Sequence, residues 1–323
     1  VVRLLACGCS AAHTDHDGRT ILDVCADYCS QEILDILSLA SKYAESQTSG
    51  NFPSHASFVH FLCAFGETPC IELLSGRAHL NVTDGEGNTP LHYAAEQGNV
   101  GALLTLCANG GDNSLCNQRG DSPLHVVSGG PAAQVLIDQG ASPTLLNDQA
   151  QIPLHTIVGR EDEGAFLSVA AVSNCNHLDV HGQSPWLLAV ELGNLSLVTV
   201  LLGMEAAVES CNAQGQTALH CALLRGHWEI GEKLIMMGAP LNAADQGGVT
   251  PVLLAALMGQ CALWSLMVES GGHLDVSDSV GCGIAHYAAE SLSLEMLQAV
   301  QAAGVIMDGL STLHLSPLQY LLE

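Results

Sequence analysis

A four-residue phrase returns along this chain at a nearly fixed interval, and it constrains the fold more tightly than any other feature. It reads Thr89-Pro90-Leu91-His92, Ser122-Pro123-Leu124-His125, Ile152-Pro153-Leu154-His155, Ser184-Pro185-Trp186-Leu187, Thr217-Ala218-Leu219-His220, Thr250-Pro251-Val252-Leu253, Gly283-Ile284-Ala285-His286 and Ser316-Pro317-Leu318-Gln319. The successive intervals are 33, 30, 32, 33, 33, 33 and 33 residues. Two weaker copies begin at Thr20 and Ser57, 37 residues apart, so residues 1–323 read as a single array of about nine repeats. A period in this range is the mark of a solenoid, in which each short unit buries its apolar face only by stacking on its neighbours.

One copy shows what each position does. Pro90 opens a helix at a position where its missing N–H costs no hydrogen bond, and Leu91, Ala94 and Ala95 give that helix A a small apolar face. Gly98 ends it, and Val100, Leu103, Leu104 and Leu106 then recur at helical spacing as the larger stripe of helix B. Between copies lies a turn with Asp or Asn five residues before the phrase and Gly two before it: Asp15/Gly18, Asp84/Gly87, Asn117/Gly120, Asn212/Gly215 and Asp245/Gly248. The Asp or Asn side chain bonds the turn backbone, and Gly accepts a positive φ. The copy from Ser122 lacks three residues at Ser128-Gly129-Gly130-Pro131, and the next carries Gly159 to Gly164 at the equivalent turn, so helix A is expected to fray in both. A polar stretch over 42–56 reads as a surface loop.

The phrase and its period resemble those of the ankyrin repeat family. The resemblance implies an all-α solenoid of stacked helix-turn-helix units with short β-hairpin fingers. It also implies that the fingers and the exposed side of helix A line a concave groove where protein partners bind. Both ends fall inside the pattern, which leads us to expect a segment of a longer protein.

Composition narrows the chemistry. Eight basic residues against 33 acidic ones leave a formal charge of −25, which disfavours nucleic acid and anionic membrane surfaces as partners. Only two lysines occur, Lys42 and Lys233, and neither follows a phosphate-cradling Gly-rich run. No stretch of about 18 uncharged apolar residues is present, so no direct membrane contact is expected. Thirteen cysteines without a paired framework point to a reducing compartment, the cytoplasm or the nucleus.

Several residue clusters have both a functional and a plain reading. His60, His92, His125, His155, His220 and His286 share the fourth phrase position. A row of imidazoles fits metal or pH chemistry, but this architecture reads them as hydrogen-bonding groups at the start of helix A, bridging to an adjacent finger. Cys7, Cys9, His13 and His16 form the best metal-like cluster, yet the repeat framework already accounts for Cys9 and His16, and no metal is expected. Cys25, Cys63 and Cys261 occupy slots held elsewhere by Ala, Val or Leu and read as small apolar residues. Trp186, Trp228 and Trp264 fall at core positions. The sequons at Asn81 and Asn194 are too short a pattern to carry weight. No catalytic motif appears, so we expect no enzyme activity and no cofactor in this segment.

The interaction face is the informative region. Two slots of helix A are expected to be exposed, one following the His position and one four residues later. Tyr93 and Tyr287 take the first slot in their copies. From Ser184 to Thr250 the face holds Leu188, Leu192, Leu224 and Met258, with Leu254 and Leu257 adjacent. An exposed apolar stripe marks a binding site, and the other reading is a helix A buried more deeply than assumed. Towards the N-terminal side the face is acidic, with Asp84, Glu86, Glu96 and Asp121, and with Glu161, Asp162 and Glu163 further on. These residues lead us to expect a non-enzymatic scaffold that binds a protein carrying a basic segment beside an apolar anchor. Two alternatives are the recruiting or regulatory array of a larger enzyme, such as a ubiquitin ligase, an acyltransferase or a kinase, and a metal- or redox-sensing array.

Overall fold

The computed structural model describes residue 42 and residues 58–66, 80–204 and 206–307. The phrase copies near 20 and 316, the polar segment 43–56, and Cys7, Cys9, His13, His16 and Cys25 lie outside these residues. The chain divides into two compact units, residues 1–174 and 175–323.

Among the described residues of the first unit, α1 (Phe58–Phe65) precedes three helix pairs: α2 (Pro90–Glu96) with α3 (Val100–Ala108), α4 (Pro123–Val126) with α5 (Gly130–Asp138), and α6 (Pro153–Arg160) with α7 (Glu163–Ala170). The described residues of the second unit hold four pairs: α8 (Pro185–Leu192) with α9 (Leu195–Gly203), α10 (Ala218–Arg225) with α11 (Trp228–Met236), α12 (Pro251–Leu257) with α13 (Cys261–Glu269), and α14 (Ile284–Glu290) with α15 (Leu294–Ala302). The all-α expectation holds, with one refinement. Among the described residues the fingers contain only isolated antiparallel bridges, Cys211 with Thr217 and Ser277 with Gly283, and are otherwise tight turns.

Each unit is two-layered. Helices A pack against helices A along the row α1, α2, α4, α6 in the first unit and α8, α10, α12, α14 in the second, while helices B form the parallel row behind. The core lies between the rows, with Leu91, Leu103, Leu106, Leu124 and Leu136 fully buried in one unit and Trp186, Leu187, Leu219 and Leu253 in the other. Burying a side chain of this size contributes about 1.5–3 kcal/mol, so stability accumulates interface by interface. Trp264 is buried as expected, whereas Trp228 is half-buried at the start of α11.

The deletion after Ser122 shortens α4 to four residues, with Val127 already extended. The following helix A does not fray: α6 runs its full eight residues and ends on Glu161 in the left-handed region. The groups freed by the short α4 find partners in adjacent repeats. Ser128 N–H donates to the Ala95 carbonyl, Gly129 N–H donates to the Asp162 carboxylate at 2.7 Å, and the Val126 carbonyl accepts from Arg160 at 2.6 Å. Gly130 and Gly164 meet backbone to backbone, and a Cβ on Gly130 would lie 2.7 Å from the Gly164 carbonyl oxygen.

Candidate partner-binding surface

Among the described residues the fingers are built by one device in seven copies. An Asp or Asn carboxyl or amide oxygen accepts two backbone N–H groups, two and four residues on. Asp84 takes Glu86 and Asn88, Asn117 takes Arg119 and Asp121, and Asn147 takes Gln149 and Gln151. Asp179, Asn212, Asp245 and Asp278 repeat the pattern in the second unit. Consecutive fingers are then laddered by backbone bonds: Gln118 N–H to the Glu86 carbonyl, Asp148 to Arg119, Gln246 to Gln214 and Ser279 to Gly247, all at 2.9–3.0 Å.

The phrase histidines lock each finger to helix A. The backbone N–H of the first phrase residue donates to Nδ1, as from Thr89 to His92 at 3.1 Å, Ser122 to His125 at 3.0 Å and Thr217 to His220 at 3.1 Å. A nitrogen that accepts is unprotonated, so Nε2 carries the proton and donates to a carbonyl of the next finger. His92 reaches Asp121 at 2.8 Å, His125 reaches Gln151 at 3.0 Å and His220 reaches Val249 at 3.0 Å. Burial pushes all three imidazoles below the ordinary histidine value, against the opposing pull of these carbonyls and of Asp121 beside His92 and His125 and Asp245 beside His220. The structural reading of the histidine row is therefore correct. Where Leu187 and Leu253 replace His, the hydroxyls of Ser184 and Thr250 instead accept the N–H of the leucine.

This scaffold sorts the expected contact residues. Asp84, Tyr93, Asp121 and Leu254 are each below 10% exposed, so the assumption that they face solvent is corrected. The Tyr93 hydroxyl donates to Asp84 Oδ2 at 2.8 Å, and Asp121 accepts the Asn147 amide at 2.8 Å. Burial alone would raise the Asp84 carboxyl, but bonds from Tyr93, Asn88 and Glu86 outweigh it and hold it below its usual value. Burial and the Asp84 bond push the Tyr93 phenol up. Tyr287 is half-buried and repeats the arrangement with Asp278 at 3.0 Å. The slot after the His position is buried or half-buried in every described repeat, and where it holds Thr156 the hydroxyl donates to the His125 carbonyl of the preceding helix A.

The expected residues that do reach solvent are Glu86, Glu96, Glu161 and Glu163 in the first unit, and Leu192 and Leu224 in the second, the two leucines 39% and 41% exposed. Leu188, Leu257 and Met258 lie half-buried beside them. Beside this stripe the Glu191 carboxylate accepts from Gln183 at 3.1 Å and faces Arg225 at 3.7 Å. Asp162 belongs to the scaffold: it caps α7 through Ala165 N–H as well as holding Gly129. Sequence reasoning missed His227, whose Nε2 donates to the Glu191 carbonyl at 2.9 Å across 36 residues. The position just before helix B holds Asn99 in another repeat, where the amide reaches the Cys63 carbonyl at 3.0 Å.

The described cysteines are free thiols, and Cys63, Cys175, Cys221 and Cys282 are buried. Burial pushes Cys63 up and, with the Glu191 carboxylate, Cys221 to about 12, so neither supplies a thiolate. Asn194 caps α9 through Leu197 N–H, and Asn81 bridges to Gly110 and Asp112, so both sequon side chains serve the fold. Among the described residues no group of three or more His, Cys, Asp or Glu is placed to hold a metal, and no helix is long and apolar enough to cross a membrane.

Comparison with known proteins agrees with this geometry. Family models described as ankyrin repeats match residues 73–127 and 154–245. The human transient receptor potential cation channel subfamily A member 1 is 23% identical over 80% of this chain and 32% of its own length. A putative palmitoyltransferase, ZDHHC13 of Danio rerio, is 32% identical over 42% of this chain and 22% of its own. The E3 ubiquitin-protein ligase KEG of Arabidopsis thaliana is 27% identical over 75% of this chain and 14% of its own. The chain thus spans a third or less of these relatives. The crystal structure of the ankyrin repeat domain of Bcl-3 superposes with a TM-score of 0.58 at 20% identity, covering 67% of this chain and 99% of that one. Phrase, period, finger ladder and paired helices agree with these matches, and the chain belongs to the ankyrin repeat family.

Proposed function

We propose that residues 1–323 form one non-enzymatic, intracellular array that binds a protein partner along the exposed side of helix A and the fingers. The observation that carries this reading is the stripe in the second unit. Leu192, Leu224, Leu257 and Met258 fall at phrase positions eight and nine of three consecutive repeats, where other repeats carry Glu96, Gln97, Glu290 and Ser291, and half-buried Leu188 lies beside them. Leucine at such exposure gains by being covered, and a few apolar anchors supply most of the energy of a protein interface. On the first unit, taken by itself, Glu86 and Glu96 present an acidic surface suited to a basic segment. Affinity capture from lysate at low and high salt tests the reading. A protein retained by the wild-type chain and lost with Leu188→Ser, Leu192→Ser and Met258→Ser supports it; equal retention by the variant sinks it.

A second reading, a recruiting array within a larger enzyme, is favoured by the likeness to a palmitoyltransferase and a ubiquitin ligase of which this chain matches only a part. Its test is the sequence flanking this segment in the natural protein, where a catalytic domain is expected.

A further inference from the structure

We propose that the apolar row of the second unit is the seat of a basic amphipathic helix whose leucine-like anchors recur every seven residues. This rests on the reading that the exposed side of helix A binds a protein, and it goes further by stating the chemistry and conformation of what binds.

Three observations lead there. The first is spacing. Helices α8, α10 and α12 pack successively side by side, and packed helices lie about 8–10 Å apart. The anchors Leu192, Leu224 and Met258 take the eighth or ninth phrase position on successive members of that row, so they repeat at about that interval. Two turns of a helix rise about 11 Å, so a partner helix lying across the row meets one anchor with every seventh residue.

The second observation concerns the backbone. The row is walled by helices, whose peptide groups bond within themselves, and among the described residues the fingers of this unit offer only isolated bridges and no strand edge. An extended segment pressed onto Leu192 and Leu224 would lose water from its own N–H and C=O groups and find no partner there. Strand addition needs an exposed sheet edge. A helix brings its backbone bonds with it and loses nothing.

The third is charge. The second unit carries fourteen acidic residues against two basic ones, Arg225 and Lys233, a formal charge of −12. Glu191 and Glu290 flank the row at the same phrase position, and Lys233 points elsewhere, donating to Thr199 at 2.8 Å. Arg225 is the one basic side chain within the row, and Glu191 faces it at 3.7 Å. A partner with lysines or arginines beside its apolar stripe is drawn to this surface, while a second copy of the chain, at −25, is repelled.

The test uses the full chain and four synthetic peptides of about 20 residues with fluorescence anisotropy as readout. The first has leucine at every seventh position with lysine on the flanks of that stripe. The second replaces two mid-helix residues by proline, the third replaces every lysine by glutamate, and the fourth scrambles the leucines. The expected result is binding of the first peptide alone, weakened about tenfold between about 50 mM and about 500 mM salt. Leu192→Ser and Leu224→Ser are each expected to weaken it about tenfold, and Arg225→Glu to tighten it. Both leucines are well exposed, so circular dichroism of the variants should match the wild type.

Equal binding of the proline peptide overturns the helical occupant while leaving the surface assignment standing, provided the leucine variants still lose it. Binding of the glutamate peptide overturns the charge argument and the proposal with it. Binding insensitive to both leucine variants overturns the surface assignment itself. A dimer in sedimentation that dissolves with Leu224→Ser, or no peptide binding at all because the row is covered by another part of this chain, also overturns the proposal.

Discussion

Protonating His92, His125 or His220 places a charge on a ring that is closed off from water and whose Nδ1 already accepts a backbone N–H. The folded pKa of each lies below the ordinary value of 6.5, so in acid the unfolded chain takes up more protons than the folded one. The stability these residues contribute is complete above pH about 6.5 and is lost as pH falls below it. The urea midpoint is expected to drop between pH about 7 and about 5, and His220→Leu should flatten that slope. Backbone strain gives a second expectation. Ala150 sits at φ 55° where the other fingers carry Gly, and Leu292 sits at φ 54° where other repeats end helix A with Gly. Ala150→Gly and Leu292→Gly should each raise stability by about 1 kcal/mol in chemical denaturation. At Gly120, φ 75°, the reverse change to Ala should destabilise, because its Cβ would stand 2.7 Å from Asp148 N. The histidine row was readable in advance because its period equals that of the fold. The burial of Asp84 and Tyr93 was not, since spacing along the chain does not reveal that the Tyr93 ring leans onto its own finger.

Helix α4 shows how an element survives a deletion. Three missing residues are visible in the sequence as a shortened interval, and a shortened helix A follows directly. What repairs it was not legible, because Arg160 and Asp162 lie more than thirty residues away and look there like surface charge. The same hidden support explains why α6, with its Gly-rich ending, keeps full length: Glu161 accepts the left-handed turn and Asp162 starts α7 at once. Asp162→Ala removes the α7 cap and the partner of Gly129 together, an expected loss of about 1–3 kcal/mol. Hydrogen exchange should locate the damage at the Gly129 and Ala165 amides, and the buried core of α3 should remain protected.

At the scale of the whole molecule, 33 acidic residues against 8 basic ones leave an excess of negative charge that repels itself. Screening relieves that repulsion, so the thermal midpoint should rise as NaCl increases from about 20 mM to about 300 mM, an amount of sugar of equal osmolarity serving as control. Composition and period together made the solenoid and its acidity plain from the sequence. The contact surface was only partly legible: leucines at different phrase positions read alike along the chain, yet Leu254 at position five is buried while Leu224 at position eight is exposed. The finger ladder also bears on how the protein responds to being stretched. Within a unit, repeats are tied to their neighbours through the fingers by main-chain bonds such as Gln246 to Gln214 and, where the phrase keeps its His, by an imidazole such as His220 to Val249. Tension applied along the chain therefore meets a similar small fastening at each repeat. The array acts as a zipper that yields link by link, each link paying out about 33 residues, or about 110 Å of slack.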